Sequence, residues 1–212
     1  MSKTLKNPHF IKKRMKILAF SDTHLHKKAL DLIKENAKNV DFLICAGDIS
    51  WFSHGLKEVL KDLDTKITKP IYIIPGNHEE GSNLEEICKN LKHIIYMHKK
   101  AKKIGDYIFF FWGAGGFAEI NKPLESAMGK FKEKIKKEDK IIFITHGPPY
   151  NTELDFLDWA GHVGCKSQRK FIQEIRPILH ICGHLHENFH KKQLINKTLI
   201  LNPGPEGTIV EL

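Results

Sequence analysis

The chain alternates short apolar runs with longer amphipathic stretches. Five apolar runs of strand length each end in a polar turn, and they cover residues 16–20, 42–46, 71–74, 141–144 and 178–182. Stretches with apolar residues at helical spacing, such as Leu30, Ile33 and Ala37, separate them and predict helices at 27–38, 55–63, 83–91, 122–137 and 166–175. Buried-type strands joined by helices indicate an α/β fold with largely parallel pairing.

Two further regions add strands that one doubly wound sheet does not need. Residues 94–112 predict two or three strands with a turn at 103–106, and residues 189–212 predict further short strands with a turn at Asn202–Pro205. We therefore predict a four-layer α-β-β-α sandwich, in which helices flank two packed, mostly mixed β-sheets. Residues 15–212 are interpreted as a single domain and residues 1–14 as a flexible basic N-terminal extension.

Composition is that of a globular protein and excludes several other classes. Of 212 residues, 41% are hydrophobic and 28% are charged, which is ordinary for a folded domain. The longest apolar runs fall far short of the roughly 18 to 20 residues of a membrane span, and the N-terminus lacks the apolar segment of a secretory signal. We expect a cytoplasmic protein with no membrane partner, and no disulfide or cysteine-based zinc site, because the cysteines show no CxxC spacing.

The net charge of +9 favours an anionic partner. Much of the excess, however, is lysine spread along helix-like segments such as 130–137, which is typical of a solvated face. Nucleic acid is therefore an open but not a favoured partner, and a small phosphate ester is preferred. Oligomeric state is not decided by these features.

Polar side chains capable of binding metal follow each of the five apolar runs. In open α/β sheets, ligands bind outside the carboxyl ends of the strands, so side chains from separate strands can converge there. Imidazole, carboxylate and amide oxygen together suit borderline divalent ions such as manganese, iron, nickel or zinc, whereas magnesium and calcium prefer oxygen ligands alone. The candidates are Asp22, His24, Asp48, Asn77, His78, His146, His184 and His186.

The order of these blocks resembles the calcineurin-like metallophosphoesterase superfamily, and in particular its compact prokaryotic phosphoesterases and the relatives of cyclic-nucleotide phosphodiesterases. The resemblance spans residues 16–190. Its blocks are Asp22-x-His24, Gly47-Asp48, Gly76-Asn77-His78-Glu79, His146-Gly147 and Gly183-His184-Leu185-His186.

The resemblance implies two divalent cations, with manganese first and iron, nickel or zinc as alternatives. One would be held by Asp22, His24, Asp48 and His186, and the other by Asp48, Asn77, His146 and His184. Asp48 would bridge them and His78 would assist the leaving group, so both are expected to be catalytic. The implied reaction is in-line attack of a metal-bound hydroxide on a phosphodiester.

Substrate contacts are expected from Asn77 and His78, and from His162 and Tyr150 in a region without periodicity. A phosphomonoesterase or nucleotide phosphatase is the alternative activity. A non-catalytic interaction scaffold of the same fold is the third reading, but such proteins lose metal ligands and here none is missing. The short chain also argues against the large regulatory protein phosphatases.

Glu79 ends the third block. The expected role of its carboxylate is a surface salt bridge, and the alternative is to orient a neighbouring histidine.

Overall fold

The computed structural model describes residues 14–212, so almost all of the predicted extension at 1–14 lies outside the described residues. The strands of this part of the chain are β1 (Lys16–Phe20), β2 (Phe42–Cys45), β3 (Ile71–Ile73), β4 (Ile94–Tyr96), β5 (Lys100–Ile104), β6 (Tyr107–Trp112), β7 (Lys140–Thr145), β8 (Phe156–Leu157), β9 (Gly161–His162), β10 (Leu179–Ile181), β11 (Lys192–Ile195), β12 (Thr198–Leu201) and β13 (Thr208–Glu211). The α-helices are α1 (Lys27–Asn36), α2 (Leu56–Lys66), α3 (Leu84–Lys89), α4 (Lys122–Lys132) and α5 (Lys166–Ile175). Short 3-10 turns cover Ala37–Asn39, Asn77–Glu79 and His186–Asn188.

The strands form two large mixed sheets. The first has the order β13-β1-β2-β3-β4 and the second β11-β12-β10-β7-β6-β5, while β8 and β9 pair separately. Strands β1 to β4 pair in parallel, as do β6, β7, β10 and β12. The antiparallel strands β13, β11 and β5 form three of the four sheet edges, and the parallel strand β4 forms the fourth. The carboxyl ends of β1, β2 and β3 therefore lie at one edge of the first sheet, and those of β7 and β10 at one edge of the second.

Alternation of side chains along the strands produces the four layers. In β1, Ile17 and Ala19 face an apolar layer shared with Phe109 and Ile142 of the second sheet, whereas Leu18 packs with residues of α1 and α2. A further cluster joins the second sheet to α4 and α5. Complete burial of each large apolar side chain contributes about 1.5 to 3 kcal/mol before the cost of ordering it. The predicted α-β-β-α sandwich is confirmed.

Several predicted helix boundaries differ from the structure, and the largest difference is at α4. The pattern predicts a helix over 122–137, but α4 ends at Lys132. Beyond it, the carboxylate of Asp139 accepts a hydrogen bond from the backbone N–H of Lys136 at 2.7 Å. A side chain that bonds nearby backbone in this way offers an alternative to helical hydrogen bonding, so the segment forms turns instead.

All four cysteines are buried and free. Within residues 14–212, no helix combines the length and the apolar character that a membrane crossing requires.

Candidate metal centre

The loops after β1, β2, β3, β7 and β10 bring the predicted ligands into one place. Three groups of described side chains have potential ligand atoms within 4.8 Å of one another. These groups are Asp22, His24 and His186; His24, Asp48 and His78; and Asp48, His146 and His184. Asn77 joins the third group, because its Oδ1 lies 2.9 Å from Nε2 of His146. All eight candidates are thus gathered at the facing edges of the two sheets.

Asp48 lies at the middle of this cluster. Its Oδ2 is 3.2 Å from Nε2 of His146, 3.8 Å from Nε2 of His78 and 3.9 Å from Nε2 of His24. Its Oδ1 accepts a hydrogen bond from the backbone N–H of His78 at 2.9 Å. A carboxylate that is shared by separate groups of imidazoles is placed where it could span two cations.

The ring nitrogens of His24 and His146 are oriented as metal ligands require. Nδ1 of His24 lies 2.9 Å from the carbonyl of Ser50, and Nδ1 of His146 lies 2.9 Å from the carbonyl of Ala46. A carbonyl can only accept, so both Nδ1 atoms donate and both Nε2 atoms turn their lone pairs toward the cluster in the neutral rings. This is the second-shell arrangement common around metal-binding histidines.

Several lone pairs in the cluster face one another and call for a cation between them. Nε2 of His146 faces two acceptors, the amide oxygen of Asn77 and the carboxylate of Asp48, and so requires either a cation or a proton between them. The Nε2 atoms of His24 and His186 lie 3.3 Å apart. Nε2 of His184 is buried and has no hydrogen-bond partner among the described residues. Buried polar atoms without partners are costly, so this donor set fits bound divalent cations.

The electrostatics show the same demand for positive charge. Burial opposes protonation of His146, but the hydrogen bond and charge of Asp48 outweigh it and raise the pKa of His146 to about 9. Burial, and then the neighbouring His146, lower the pKa of His184 to about 3. In the absence of a cation, a proton on His146 therefore balances the carboxylate of Asp48.

Four of the candidate ligands also have a strained backbone. Asp22, His24, Asp48 and His184 have φ values of 55°, 43°, 53° and 75°. This left-handed region is sparsely populated by residues other than glycine and costs on the order of 1 kcal/mol or more at each position. Strain of this kind persists where the surrounding structure fixes side chains for function.

Two motif glycines are required by close packing against the carboxylates. A Cβ atom at Gly76 would collide with the carboxylate of Asp48, and one at Gly183 would collide with the carboxylate of Asp22 and the side chain of Ser21. Any side chain at either position would displace a predicted ligand.

The expected surface salt bridge of Glu79 is wrong. The residue is only 2% exposed, and its carboxylate accepts hydrogen bonds from the backbone N–H groups of Asp48, Ser50 and Gly76 at 2.8 to 3.0 Å. It also accepts from the hydroxyl of Ser50 at 2.7 Å. Glu79 orients none of the histidines through these bonds; it ties the loop of Asp48 to the loop of Asn77. The preference of charged residues for the surface is overridden because backbone donors surround this carboxylate.

His78 presents one defined nitrogen to the cluster. Its Nδ1 accepts a hydrogen bond from the backbone N–H of Phe52 at 3.2 Å. In the neutral ring the proton therefore resides on Nε2, which lies 3.8 Å from Oδ2 of Asp48. His78 can donate a hydrogen bond from Nε2 into the site.

His162 and Tyr150 lie together but outside the three groups of ligand atoms, with ring centroids 5.8 Å apart. Nδ1 of His162 is 2.9 Å from Oδ1 of Asp155, whose side chain is fully buried. The side-chain amide of Asn188, in the turn after His186, donates to the carbonyl of Leu154 at 2.8 Å and so connects this segment to the cluster. Sequence reasoning missed Asp155, because no motif marks it.

Comparison with known proteins places this geometry in context. Residues 15–188 match the family described as calcineurin-like phosphoesterase. An uncharacterised protein of Methanocaldococcus jannaschii is 30% identical over 206 residues, which cover 93% of this chain and 92% of that protein. A protein of Arcobacter nitrofigilis named as a probable glycerophosphodiester phosphodiesterase is 25% identical over 213 residues, covering 92% of this chain and 75% of that protein. The crystal structure of TT1561 from Thermus thermophilus shares the fold, with a TM-score of 0.71 and 16% identity over 92% of this chain and 91% of its own.

Proposed function

This chain belongs to the calcineurin-like phosphoesterase family, which supports a hydrolase acting on phosphoric esters, and we propose that its substrate is a phosphodiester cleaved at a dinuclear metal centre. We further propose that residues 15–212 act as one catalytic domain. The observation that carries the proposal is the position of Asp48, whose Oδ2 lies within 3.9 Å of the Nε2 atoms of His24 and His146, one from each proposed metal site.

We assign the ligands to two sites that share Asp48. Asp22, His24 and His186 would complete the first, and Asn77, His146 and His184 would complete the second. Two bound divalent cations supply Lewis acidity to the phosphoryl oxygens and make water nucleophilic near neutral pH. The mixture of imidazole nitrogen and oxygen donors supports manganese as the first metal to test, followed by iron, nickel and zinc.

His78 and the segment around His162 would handle the rest of the substrate. His78 is proposed to donate its Nε2–H to the phosphoryl group or to the leaving oxygen, where negative charge develops. Asn77 would bind the second cation and would also contact the substrate. His162, held by the buried Asp155, and Tyr150 would contact the part of the substrate beyond the phosphate.

The preference for a diester is supported by the name of the Arcobacter relative and requires a direct test. The purified protein would be assayed with manganese, nickel and zinc in parallel, on bis(p-nitrophenyl) phosphate and on p-nitrophenyl phosphate. We expect faster turnover of the diester, and loss of this turnover in Asp48→Asn but not in Asp31→Asn, which alters an exposed residue of α1.

The other outcomes of this assay decide between the remaining activities. Faster cleavage of the monoester would replace the diesterase with a phosphomonoesterase or nucleotide phosphatase. Absence of cleavage of both esters with every metal would reject the enzyme and favour an interaction scaffold.

A further inference from the structure

Three exposed aromatic side chains border the candidate metal centre. Trp51 stacks on the ring of His24, with centroids 3.8 Å apart and an interplanar angle of 19°. Phe52 meets the ring of His78 at 4.2 Å, and Phe117 meets the ring of His184 at 4.4 Å. Their exposed fractions are 47% for Trp51, 70% for Phe52 and 61% for Phe117. We call these three residues the aromatic rim.

The turn that carries two of these rings is strained. The backbone N–H of His54 donates to the carbonyl of Trp51 at 2.9 Å, which closes a four-residue turn. Its central residues, Phe52 and Ser53, have φ values of 47° and 66°. For a bulky residue such as phenylalanine this conformation is a genuine outlier. Glycine, asparagine or aspartate would be the ordinary residues there, so the turn holds an unfavourable residue where its ring reaches His78.

Phe117 approaches the centre from a different element. Its loop is fixed by the backbone N–H of Ala114, which donates to the carbonyl of Pro75 at 2.7 Å. Gly116 then lies against the side chains of Asn77 and His184. Because Phe52 contacts His78 and Phe117 contacts His184, rings from two separate loops border the same cluster.

These positions restrict what the rim can bind. Its rings contact the side chains that would surround the phosphate, so a group stacked on them belongs to the part of the ester that lies beside the phosphate. The cations would neutralise the charge of the phosphate, whereas the exposed ring faces would contact the organic part of the ester. A planar ring stacks favourably on such faces, and this interaction tolerates different bases because each has a π-face. A small polar alcohol such as glycerol offers no ring for this interaction.

We propose that the aromatic rim selects phosphate esters in which a planar aromatic ring, such as a nucleobase, lies close to the phosphate. The inference rests on the proposed function of the same site and defines its substrate class. Phe52 and Phe117 are the specificity-determining residues, each acting through stacking on the substrate ring.

Isothermal titration calorimetry of the manganese-loaded protein tests this proposal without relying on turnover. AMP and ribose 5-phosphate form the first pair of probes, because they carry the same phosphate and sugar with and without the base. Phenyl phosphate and cyclohexyl phosphate form the second pair, because only the phenyl ring is planar and aromatic. We expect each aromatic member to bind at least about fivefold more tightly than its partner.

Substitution of the rim should remove this discrimination. In Phe52→Leu and in Phe117→Leu, which keep an apolar side chain but no ring, we expect the AMP to ribose 5-phosphate affinity ratio to fall severalfold. The control is Leu194→Ala, an exposed apolar residue of β11, which should keep the wild-type ratio. A ratio near one in the wild type, an unchanged ratio in both variants, or equal binding of phenyl and cyclohexyl phosphate would overturn the proposal.

The binding and hydrolysis experiments fail independently. Ring discrimination that depends on Phe52 and Phe117, in a protein that cleaves no ester, would retain the rim and reject the phosphodiesterase. Cleavage of bis(p-nitrophenyl) phosphate without ring discrimination would retain the phosphodiesterase and reject the role of the aromatic rim.

Discussion

Replacing Glu79 with glutamine puts an NH2 group into a place where every contacting group is a donor. The carboxylate receives hydrogen bonds from the backbone N–H groups of Asp48, Gly76 and Ser50, and from the Ser50 hydroxyl. Oε2 accepts from the backbone N–H groups of Asp48 and Gly76, and Oε1 accepts from both the backbone N–H and the hydroxyl of Ser50. A glutamine keeps only one of these oxygens.

The least costly orientation of the glutamine can be derived from these contacts. With the amide oxygen toward Asp48 and Gly76, the NH2 group faces Ser50, whose hydroxyl can rotate and accept. The backbone N–H of Ser50 then stays buried and unpaired, which costs about 1 to 3 kcal/mol. The same change loosens the loop of Asp48, and loss of such outer support typically weakens metal binding or activity by roughly 10- to 100-fold.

Urea unfolding and manganese titration of Glu79→Gln measure the two effects separately. The control is Glu35→Gln, which removes an exposed carboxylate near the end of α1. We expect the free energy of unfolding to fall by about 1 to 3 kcal/mol in Glu79→Gln only, together with weaker manganese binding. A Glu79→Gln protein that matched the control in both measurements would refute the structural role assigned to this carboxylate.

Three further predictions follow from individual residues. Gly183→Ala should weaken manganese binding in calorimetry, since the added methyl group collides with the carboxylate of Asp22; unchanged affinity would count against Asp22 as a ligand. His78→Ala should bind manganese normally but lower kcat by roughly 100-fold or more, and steady-state kinetics showing full turnover would reject its catalytic role. Burial lowers the pKa of His180 from 6.5 to about 3, so between these two values only the unfolded chain takes up this proton. The free energy of unfolding, measured with urea, should therefore fall by roughly 2 to 4 kcal/mol between about pH 7 and pH 4 because of this residue. His180→Phe should lack that part of the pH dependence, and an unaltered profile would contradict it.

The strands and helices that were predictable are those with a clear pattern of apolar residues along the chain. The strand run at 42–46 is apolar at every position, and the run at 178–182 is apolar at every position except His180. Such strands are buried on both faces. Parallel strands of one sheet place their carboxyl ends together, which predicted that Asp22, Asp48 and Asn77 lie near one another. The meeting of Asp48 with His184 of the second sheet was implied by the family resemblance. The differences were at the ends of elements, as at α4, and in the short strands β8 and β9, which lie where no periodicity predicted a strand.

The parts that were not predictable depend on tertiary surroundings. Nothing in the residues next to Glu79 shows that the backbone N–H groups of Asp48 and Ser50 join that of Gly76, in its own turn, to enclose the carboxylate. The residues of the aromatic rim have ordinary core composition, and only the left-handed turn at Phe52 explains why its ring is exposed beside His78. Carboxylates are usually exposed and phenylalanines are usually buried. Glu79 and Phe52 depart from these preferences for reasons of tertiary structure, which a single sequence does not show.

The most direct test of the dinuclear centre is the number of manganese ions bound per chain, measured by calorimetry and by elemental analysis after gel filtration. We predict two ions per wild-type chain and loss of tight binding at both sites in Asp48→Asn, because this carboxylate is assigned to both sites and lies near both His24 and His146. A single ion in the wild type, or two ions bound with unchanged affinity in Asp48→Asn, would contradict this prediction.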